Sequence, residues 1–439
     1  MPTPIDAALG ETLASEELTH GQRIKAIFAA STGNLIEWYD FYIYAFTALY
    51  FSAQFFPKSD PLVQVMATSG IFAVGFLARP IGGWFFGRYS DRHGRKAGMV
   101  LSVIMMGFGS LMIAILPTYA QVGVLAPVLL LIGRIIQGFS TGGEYGAVAT
   151  YMSEVAGKKN RGFWSSFQYV TLIGGQLAAT VVILLLQALL PDGAMETYGW
   201  RIGFLIGAIG AATVLLLRRG MHETTQSSDR TAESGTLREL GKNMPAFMIV
   251  MGLTAGGSLS FYTFSTYMQK YLVLTAGMTK EAATGVMTAV LVVFMLLQPV
   301  MGALSDKIGR RNNLILFGLL ATLCTLPLLT ALATVQSAFM AFVLVLAGLT
   351  INSFYTSISG LFKAELFPIH VRALGVGLAY GVANALFGGT AENVALAFKA
   401  GGNEGHFYWY VTGLCFVSLL TALLMRDTRK SNLLDDVKV

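Results

Sequence analysis

The sequence predicts an all-α integral membrane protein that crosses the bilayer many times. Hydrophobic residues make up 54% of its 439 residues, and the mean hydropathy is +0.61. Charged residues make up only 12%, about half of the roughly 25% found in soluble domains. Uncharged runs of nearly 20 residues, about the length of a membrane-spanning helix, recur along the chain. This pattern excludes a soluble multi-domain enzyme, a disordered chain and a disulfide scaffold.

Apolar windows and the polar residues between them predict twelve spans in two sets of six. Spans 1 to 6 are expected at 26–52, 63–86, 98–117, 124–151, 162–190 and 200–218. Spans 7 to 12 are expected at 245–275, 281–303, 313–334, 338–362, 373–398 and 407–425. The resulting units are an N-terminal tail, a six-helix half, a flexible linker, a second six-helix half and a C-terminal tail, at 1–25, 26–218, 219–244, 245–425 and 426–439.

The distribution of Lys and Arg predicts that both termini are cytoplasmic. With the N-terminus inside, 23 of these residues fall in cytoplasmic segments, 4 fall outside and 3 lie within spans. This count places Lys363 and Arg372 in the loop between spans 10 and 11. The polar, acidic N-terminus lacks the basic region and apolar core of a cleaved signal peptide, so the first helix is expected to be retained.

An internal repeat relates the two halves. The loop between spans 2 and 3 reads GRYSDRHGRK (87–96), and the loop between spans 8 and 9 reads GALSDKIGRR (302–311), at an offset of 215. A second set of matches has an offset of 211 and pairs Glu154, Arg161 and Tyr169 with Glu365, Arg372 and Tyr380. Two copies at corresponding places indicate halves of parallel topology, related by an axis along the membrane normal.

These repeated loops resemble the signature of the major facilitator superfamily. Within it, NLIEWYDFYIY (34–44), RPIGGWFFGR (79–88) and IIQGFSTGGEYG (135–146) resemble the metabolite:proton symporter family. Strings in both halves, such as SSFQYVTLIGGQL (165–177) and RALGVGLAYGVANALFGG (372–389), resemble the members that carry α-ketoglutarate. The resemblance implies a twelve-helix carrier that symports a small organic anion with protons by alternating access. The resemblance favours a dicarboxylate as the substrate, and α-ketoglutarate before other dicarboxylates.

Other functions remain open at this stage. The same carrier fold is compatible with citrate, another mono- or dicarboxylate, or a zwitterion such as a betaine. A transporter-like sensor is a more distant alternative, disfavoured because the chain has no long soluble segment for signalling.

The repeated loops also predict a cytoplasmic gate. Acidic and basic residues accompany both copies, and the gate is expected to comprise Asp91, Arg95, Glu154, Asp306, Arg310 and Glu365. Glu154 is the expected partner of Arg95 and Glu365 that of Arg310, while Asp91 is expected to cap a neighbouring helix. Such a cluster would hold the cytoplasmic side closed. The alternative is that these charges only set the topology.

Charged residues inside spans are candidates for proton coupling. Asp40 and Arg134 are expected at similar depth, about 21 and 26 Å from the cytoplasmic ends of spans 1 and 4. By resemblance to sugar:proton symporters they form the coupling pair, and a permanent structural ion pair is the alternative. Glu144 is either a second proton site or an inner gate, and Glu37 serves either coupling or anchoring.

Arg79 in span 2 is the first candidate for the substrate site, because a guanidinium binds a carboxylate through two hydrogen bonds and keeps its charge. The alternative is a structural partner for Asp40 or Glu144. Lys270 is expected either to meet a second carboxylate or to snorkel to the interface. The uncharged candidates for the cavity, with Gln168 favoured by resemblance to sugar symporters, are Gln168, Tyr39, Tyr262, Tyr267, Asn352, Tyr355 and Asn384.

No enzyme motif is present in the sequence. A nucleotide-binding P-loop, an HExxH motif and paired CxxC motifs are all missing, and Cys324 and Cys415 have no metal-site spacing. We therefore expect no cofactor and no metal, with transport driven by the proton gradient. The expected partners are an organic acid, protons and the lipid bilayer, with no nucleic acid. The expected form is a monomer in the bacterial cytoplasmic membrane.

Overall fold

The structure is a computed structural model in which the twelve predicted spans are helical. It describes residues 20–57, 60–93, 95–142, 144–156, 158–219, 236–368, 371–428 and 433–434. Among these residues, nine helices, those of spans 2 and 5 to 12, are long and apolar enough to cross a membrane. Shorter apolar helices form spans 3 and 4, and span 1 lies in the helix His20–Phe55. The fold is therefore an all-α membrane bundle consistent with twelve spans.

The helices of the first half begin and end within a few residues of the prediction, except at the start of span 1 and the end of span 2, where the helices are longer. Two spans are broken, span 4 at Gly142 and span 5 at Ser166, and span 6 begins with a π-helical turn. In order, the helices are His20–Phe55, Pro61–His93, Arg95–Ala114, Tyr119–Val122, Leu125–Thr141, Glu144–Val155, Lys158–Asn160, Arg161–Ser165, Phe167–Leu189, Met195–Gly199 and Trp200–Arg219.

The second half repeats this plan with breaks of its own. Spans 7 and 11 contain π-helical turns, and span 10 is interrupted at Ser357 and Ile358. In order, the helices are Met244–Tyr262, Thr263–Tyr267, Met268–Leu274, Lys280–Ile308, Arg310–Ala333, Ala338–Thr356, Ser359–Leu366, Arg372–Ala383, Asn384–Gly388, Ala391–Ala400 and Glu404–Leu424. Such irregular turns inside helices are frequent at functional sites.

Helix packing confirms the internal repeat. Spans 3 and 6 pack together as spans 9 and 12 do, and spans 2 and 4 pack together as spans 8 and 10 do. The halves meet through span 5 against span 8 and through span 2 against span 11. These two interfaces are equivalent, because the repeat converts span 2 into span 8 and span 5 into span 11. The substrate path of such a fold lies between the halves.

The linker is not flexible throughout. Residues 220–235 lie outside the described residues, but Leu237–Lys242 is a short helix. The Thr236 side chain caps this helix by accepting a hydrogen bond from the Glu239 amide at 3.4 Å. Ser/Thr caps stabilise a helix start by satisfying an otherwise unpaired amide. The prediction of a flexible linker was therefore wrong for this segment.

The predicted loop between spans 10 and 11 is also corrected. Span 10 resumes after its interruption as Ser359–Leu366, so Lys363 lies inside a helix and is fully buried. Arg372 is fully buried too, and it donates hydrogen bonds to the carbonyls of Phe367 (3.1 Å) and Leu433 (2.8 Å). The sequence argument treated both cations as loop residues because charges usually mark the ends of spans.

Candidate functional site

A buried hydrogen-bond network surrounds Asp40 in the first half. Asp40 in span 1 accepts a hydrogen bond from Ser110 of span 3 and another from Nε2 of Gln137 in span 4, at 2.9 Å. Arg134 donates from Nη1 to Oε1 of Gln137 at 2.7 Å. Gln137 therefore bridges the two residues predicted to form a pair. Among the described side chains, Asp40 and Arg134 form no direct ion pair.

Aromatic rings hold the rest of the Arg134 guanidinium. Its Cζ lies 4.5 Å from the ring centroid of Tyr44, 4.8 Å from that of Phe41 and 5.0 Å from that of Phe72. Its Nε and Nη2 atoms are buried without a hydrogen-bond partner. Ring faces attract cations, most strongly where water is excluded. Arg134 is therefore held at the network by one amide and three rings.

Arg79 is a buried cation that has no counter-ion among the described side chains. It is 4% exposed, and its Cζ lies 4.1 Å from the ring centroids of both Phe41 and Phe76 and 5.2 Å from that of Trp38. Its Nε and Nη2 atoms have no hydrogen-bond partner, and no ion pair forms with any side chain that the structure describes. Burying an unpaired charge is expensive. The guanidinium is therefore available to an anionic ligand.

The two remaining acidic candidates of the first half give less information. Glu37 is buried one helical turn before Asp40. Glu144 begins a helix directly after the break in span 4, and its side chain lies outside the described part of the structure. Their predicted roles stay predictions.

Lys270 forms an ion pair within the second half, and both members of the pair also contact the first half. Its Nζ lies 3.0 Å from Oε2 of Glu392 in span 11 and donates to the carbonyl of Ala45 in span 1 at 2.5 Å. Ser69 of span 2 donates to the other oxygen of Glu392. Lys270 is fully buried, so it does not snorkel, and its ammonium already has a carboxylate partner. The sequence argument missed Glu392, although an acid inside a predicted span was a usable signal.

The second copy of the repeated motif brings together Asp306, Arg310 and Glu365, three of the residues predicted to form a gate. Arg310 lies 2.9 Å from Oδ1 of Asp306 through Nη1 and 3.5 Å from Oε1 of Glu365 through Nε. Asp306 also accepts hydrogen bonds from the amides of Gly162 (2.8 Å) and Phe163 (3.0 Å) in span 5. The prediction that Glu365 pairs with Arg310 is confirmed. We call the end of the bundle that carries these loops the motif end.

The first copy of the motif is less completely described. The side chains of Asp91, Arg95 and Glu154 lie outside the described part of the structure, so their predicted pairing stays a prediction. The helix-capping contact expected of Asp91 is made in the second copy by its equivalent, Asp306. Because Asp306 contacts the start of span 5, that copy joins the two halves at the motif end.

Two of the uncharged candidates are engaged in packing within their own halves. Tyr39 donates to the carbonyl of Gly203 at 2.8 Å, and Asn352 donates to Oγ of Ser260 at 2.6 Å. Gln168 faces the other half, because its Oε1 lies against Gly360 at the break in span 10. Gln168 is therefore at the interface where the path is expected.

The other uncharged candidates lie in the second half, and all of them are buried. Among the described residues, the amide of Asn384 and the hydroxyl of Tyr267 have no hydrogen-bond partner. Tyr262 packs its ring 5.2 Å from that of Phe76, a neighbour of Arg79, and Tyr355 packs on Phe317 at 5.4 Å. Tyr262 therefore reaches the surroundings of Arg79 from the second half through its contact with Phe76. Asn384 lies close to Tyr262, because both side chains flank Gly388.

Comparison with known proteins agrees with this architecture. A sequence model described as the Major Facilitator Superfamily matches residues 30–391. An alpha-ketoglutarate permease of Escherichia coli (strain K12) is 57% identical over 93% of this chain and 95% of its own length. A citrate-proton symporter of Klebsiella pneumoniae is 34% identical over 93% of this chain and 95% of its own length.

The fold is also found among solved structures. The crystal structure of a D-xylose-proton symporter superposes with a TM-score of 0.74 and 20% sequence identity, covering 93% of this chain and 99% of the other. At that identity the likeness establishes the arrangement of helices.

Proposed function

The chain belongs to the Major Facilitator Superfamily, and we propose that it is a secondary transporter that takes up α-ketoglutarate together with protons. Like its family and its relatives, it is a multi-pass membrane transporter; it is not an enzyme. The 57% identity to an alpha-ketoglutarate permease extends over 93% of the chain. The proposed location is the bacterial cytoplasmic membrane, with both termini inside.

Arg79 is the observation that carries the choice of an organic anion. Its guanidinium is buried among Trp38, Phe41 and Phe76 without a carboxylate from the described residues. A substrate carboxylate would supply the missing negative charge and accept two hydrogen bonds from the guanidinium. The surrounding rings exclude water and so strengthen that interaction. This role is the proposal for Arg79.

Asp40 is the proposed proton carrier. It is a buried acid at the end of a hydrogen-bond chain that leads through Gln137 to Arg134. Burial favours the protonated form of a carboxyl, whereas a nearby cation favours the carboxylate. Because these two influences oppose each other, a small movement of the helices changes whether the proton is bound. Transport driven in this way needs no bound cofactor. The gradient supplies about 1.4 kcal/mol per pH unit and about 2.3 kcal/mol per charge per 100 mV.

Contacts between the halves at both ends supply the proposed gates. At the motif end Asp306 of the second half binds the start of span 5. At the opposite end Lys270 and Glu392 bind Ala45 and Ser69 of the first half. Alternating access requires each set of contacts to break while the other holds. We propose that the motif end faces the cytoplasm, as its basic residues predict.

The experiment that tests this function is uptake into proteoliposomes containing the purified chain. Uptake of labelled α-ketoglutarate is measured with and without an acid-outside pH gradient. We expect accumulation that the gradient stimulates and a protonophore abolishes. If the folded protein takes up no α-ketoglutarate, the proposal that α-ketoglutarate is its substrate is wrong. Direct uptake of labelled citrate, monocarboxylates and betaines would then identify the substrate class, with citrate first because a citrate-proton symporter is 34% identical.

A further inference from the structure

A second buried cation faces the first half from span 10. Lys363 is fully buried, and its Nζ donates to Oγ of Ser359 at 2.6 Å and to the hydroxyl of Tyr145 at 3.2 Å. The ring centroid of Tyr380 lies 4.2 Å away. Hydroxyl oxygens and ring faces bind an ammonium but do not neutralise it. Among the described side chains, Lys363 has no carboxylate partner.

The helix direction explains why this ammonium lies inside the bundle. Glu365, two residues further along span 10, belongs to the gate cluster at the motif end. Side chains of a helix lean toward its N-terminus, so the lysine stem runs back from that gate into the protein. The contact with Ser359, four residues earlier, records this direction. The charge is therefore carried deeper than its position in the sequence suggests.

Lys363 lies at a junction of the two halves. Tyr145 of span 4 and Tyr380 of span 11 stack at a centroid distance of 3.6 Å, and Lys363 contacts both rings or their hydroxyls. Gly381, the residue after Tyr380, packs against Pro80, the residue after Arg79: a Cβ at Gly381 would lie 3.9 Å from Pro80. Tyr380 and Gly381 of span 11 thus connect Lys363 in the second half with the Arg79–Pro80 segment in the first.

From this arrangement we propose that Lys363 binds one carboxylate of the transported dicarboxylate while Arg79 binds the other. This inference rests on the proposed function. Two cations from opposite halves, neither with a carboxylate partner among the described side chains, lie near the Tyr380–Gly381 segment, and they suit an anion with a charge at each end. A bound dicarboxylate would therefore connect the halves. Lys270, the cation that the sequence suggested for the second carboxylate, is already paired with Glu392.

Thermal unfolding of the purified full-length chain tests the proposal, using Lys363→Met with and without α-ketoglutarate. A buried charge without a counter-ion destabilises the empty protein, so we expect the variant to unfold at a higher temperature than the wild type. Its stabilisation by α-ketoglutarate should be lost or strongly reduced. A structural role for Lys363 predicts the reverse: a lower unfolding temperature with the ligand response retained.

Binding competition identifies which carboxylate Lys363 contacts. The competitors of labelled α-ketoglutarate are 2-oxopentanoate and 4-oxopentanoate, each of which lacks one of its two carboxylates. We expect Lys363→Met to weaken α-ketoglutarate binding about 10- to 100-fold, the loss of one charged hydrogen bond. The preference for α-ketoglutarate over one of the two analogues should then disappear. Lys363→Arg, which keeps the charge, should retain part of that preference.

Lys399→Met is the matched control. Lys399 is a cation of the same half that is paired with Glu404 at 3.2 Å, and its loss should leave ligand binding unchanged. If Lys363→Met keeps both preferences, the inference is overturned and the proposed function stands. If α-ketoglutarate neither binds nor stabilises the wild type, the proposed substrate falls and this inference falls with it. If Lys363→Met does not fold, Lys363→Arg decides by keeping or losing the same preferences.

Discussion

Arg134 and Asp40 are joined through the amide of Gln137 and not by a direct ion pair. The amide donates to the carboxylate at 2.9 Å and accepts from the guanidinium at 2.7 Å, so both ends of one side chain are used. Protonation of Asp40 would change what its oxygen can accept. The hydrogen bond from the Gln137 amide to Asp40 would change, and the hydrogen bond between that amide and Arg134 would change with it. Under the proposed coupling, a change of charge on Asp40 in span 1 would thereby reach Arg134 in span 4 without the separation of two opposite charges.

Asp40→Asn removes the proposed proton site while keeping its size. Asparagine can still accept a hydrogen bond from Gln137, so the network and the fold should survive. We expect the variant to bind and exchange α-ketoglutarate but to lose accumulation against a concentration gradient. Uptake and counterflow in proteoliposomes measure the two activities separately.

The control for this prediction is Asp60→Asn, because Asp60 is an exposed acid between spans 1 and 2. It should accumulate substrate like the wild type. Wild-type accumulation by Asp40→Asn itself would show that another group carries the proton.

Arg79→Lys keeps the positive charge and removes the planar fork. A lysine can offer a carboxylate only a point charge, and it stacks less well among the rings of Phe41 and Phe76. We expect α-ketoglutarate to bind about 10-fold or more weakly, the loss of one charged hydrogen bond. Equilibrium binding to purified protein measures this change. Unchanged affinity would refute the role of Arg79 as a ligand.

Arg201→Lys is the matched control for that substitution. Arg201 is a guanidinium of the same half that stacks on Trp200 at 4.3 Å and donates to the carbonyls of Ala114 and Leu116. Its replacement should change stability more than affinity.

The sequence predicted the spans and the repeat well because both depend on dense, regular signals. Each span is a long apolar run, and the loop motif occurs twice at a fixed offset. The contact between Arg310 and Glu365 followed from that repeat. These features are local or periodic, so no tertiary information was needed to find them.

The charges that the sequence argument misplaced are those whose partners come from distant spans. Lys363 was assigned to a loop because a cation near the end of an apolar run normally faces water. Its burial depends on the break in span 10 and on Tyr145, which is 218 residues away. Glu392, which follows a pair of glycines in the sequence, was not recognised as a site residue. Lys270 and Ser69 contact it from two other spans. Such clusters appear only after the helices have packed.

Breaking the Lys270–Glu392 pair should destabilise the protein. Glu392→Gln leaves a fully buried ammonium facing a neutral group, and the loss of one partner of a buried pair costs about 3–5 kcal/mol. We expect a lower unfolding temperature for this variant. Because the pair also contacts the first half, closure of that end should weaken.

The double variant Lys270→Met/Glu392→Gln separates the pair from its members. Removing both charges is much less costly than leaving one buried alone. The double variant should therefore be more stable than Glu392→Gln. A double variant that is less stable than both single variants would show that the two residues stabilise the protein independently.

Gly302 in span 8 is a point of close approach between the halves at the motif end. A side chain there would collide with the carbonyl of Gly162 and lie 2.9 Å from Cβ of Ser166, both in span 5. Backbone cannot yield to such a contact as a flexible side chain can. Gly302→Val should therefore keep the motif end open and abolish transport, while each half keeps its own packing.

Accessibility of a buried cysteine reports this opening. Ser166 is fully buried, so Ser166→Cys, in a chain whose Cys324 and Cys415 have been replaced by alanine, should react slowly with a membrane-impermeant maleimide. Adding Gly302→Val should accelerate labelling from the motif side. Gly285→Val is the control in the same helix, because a side chain there meets nothing within 4 Å. Slow labelling together with normal transport in Gly302→Val would show that this contact does not close the motif end.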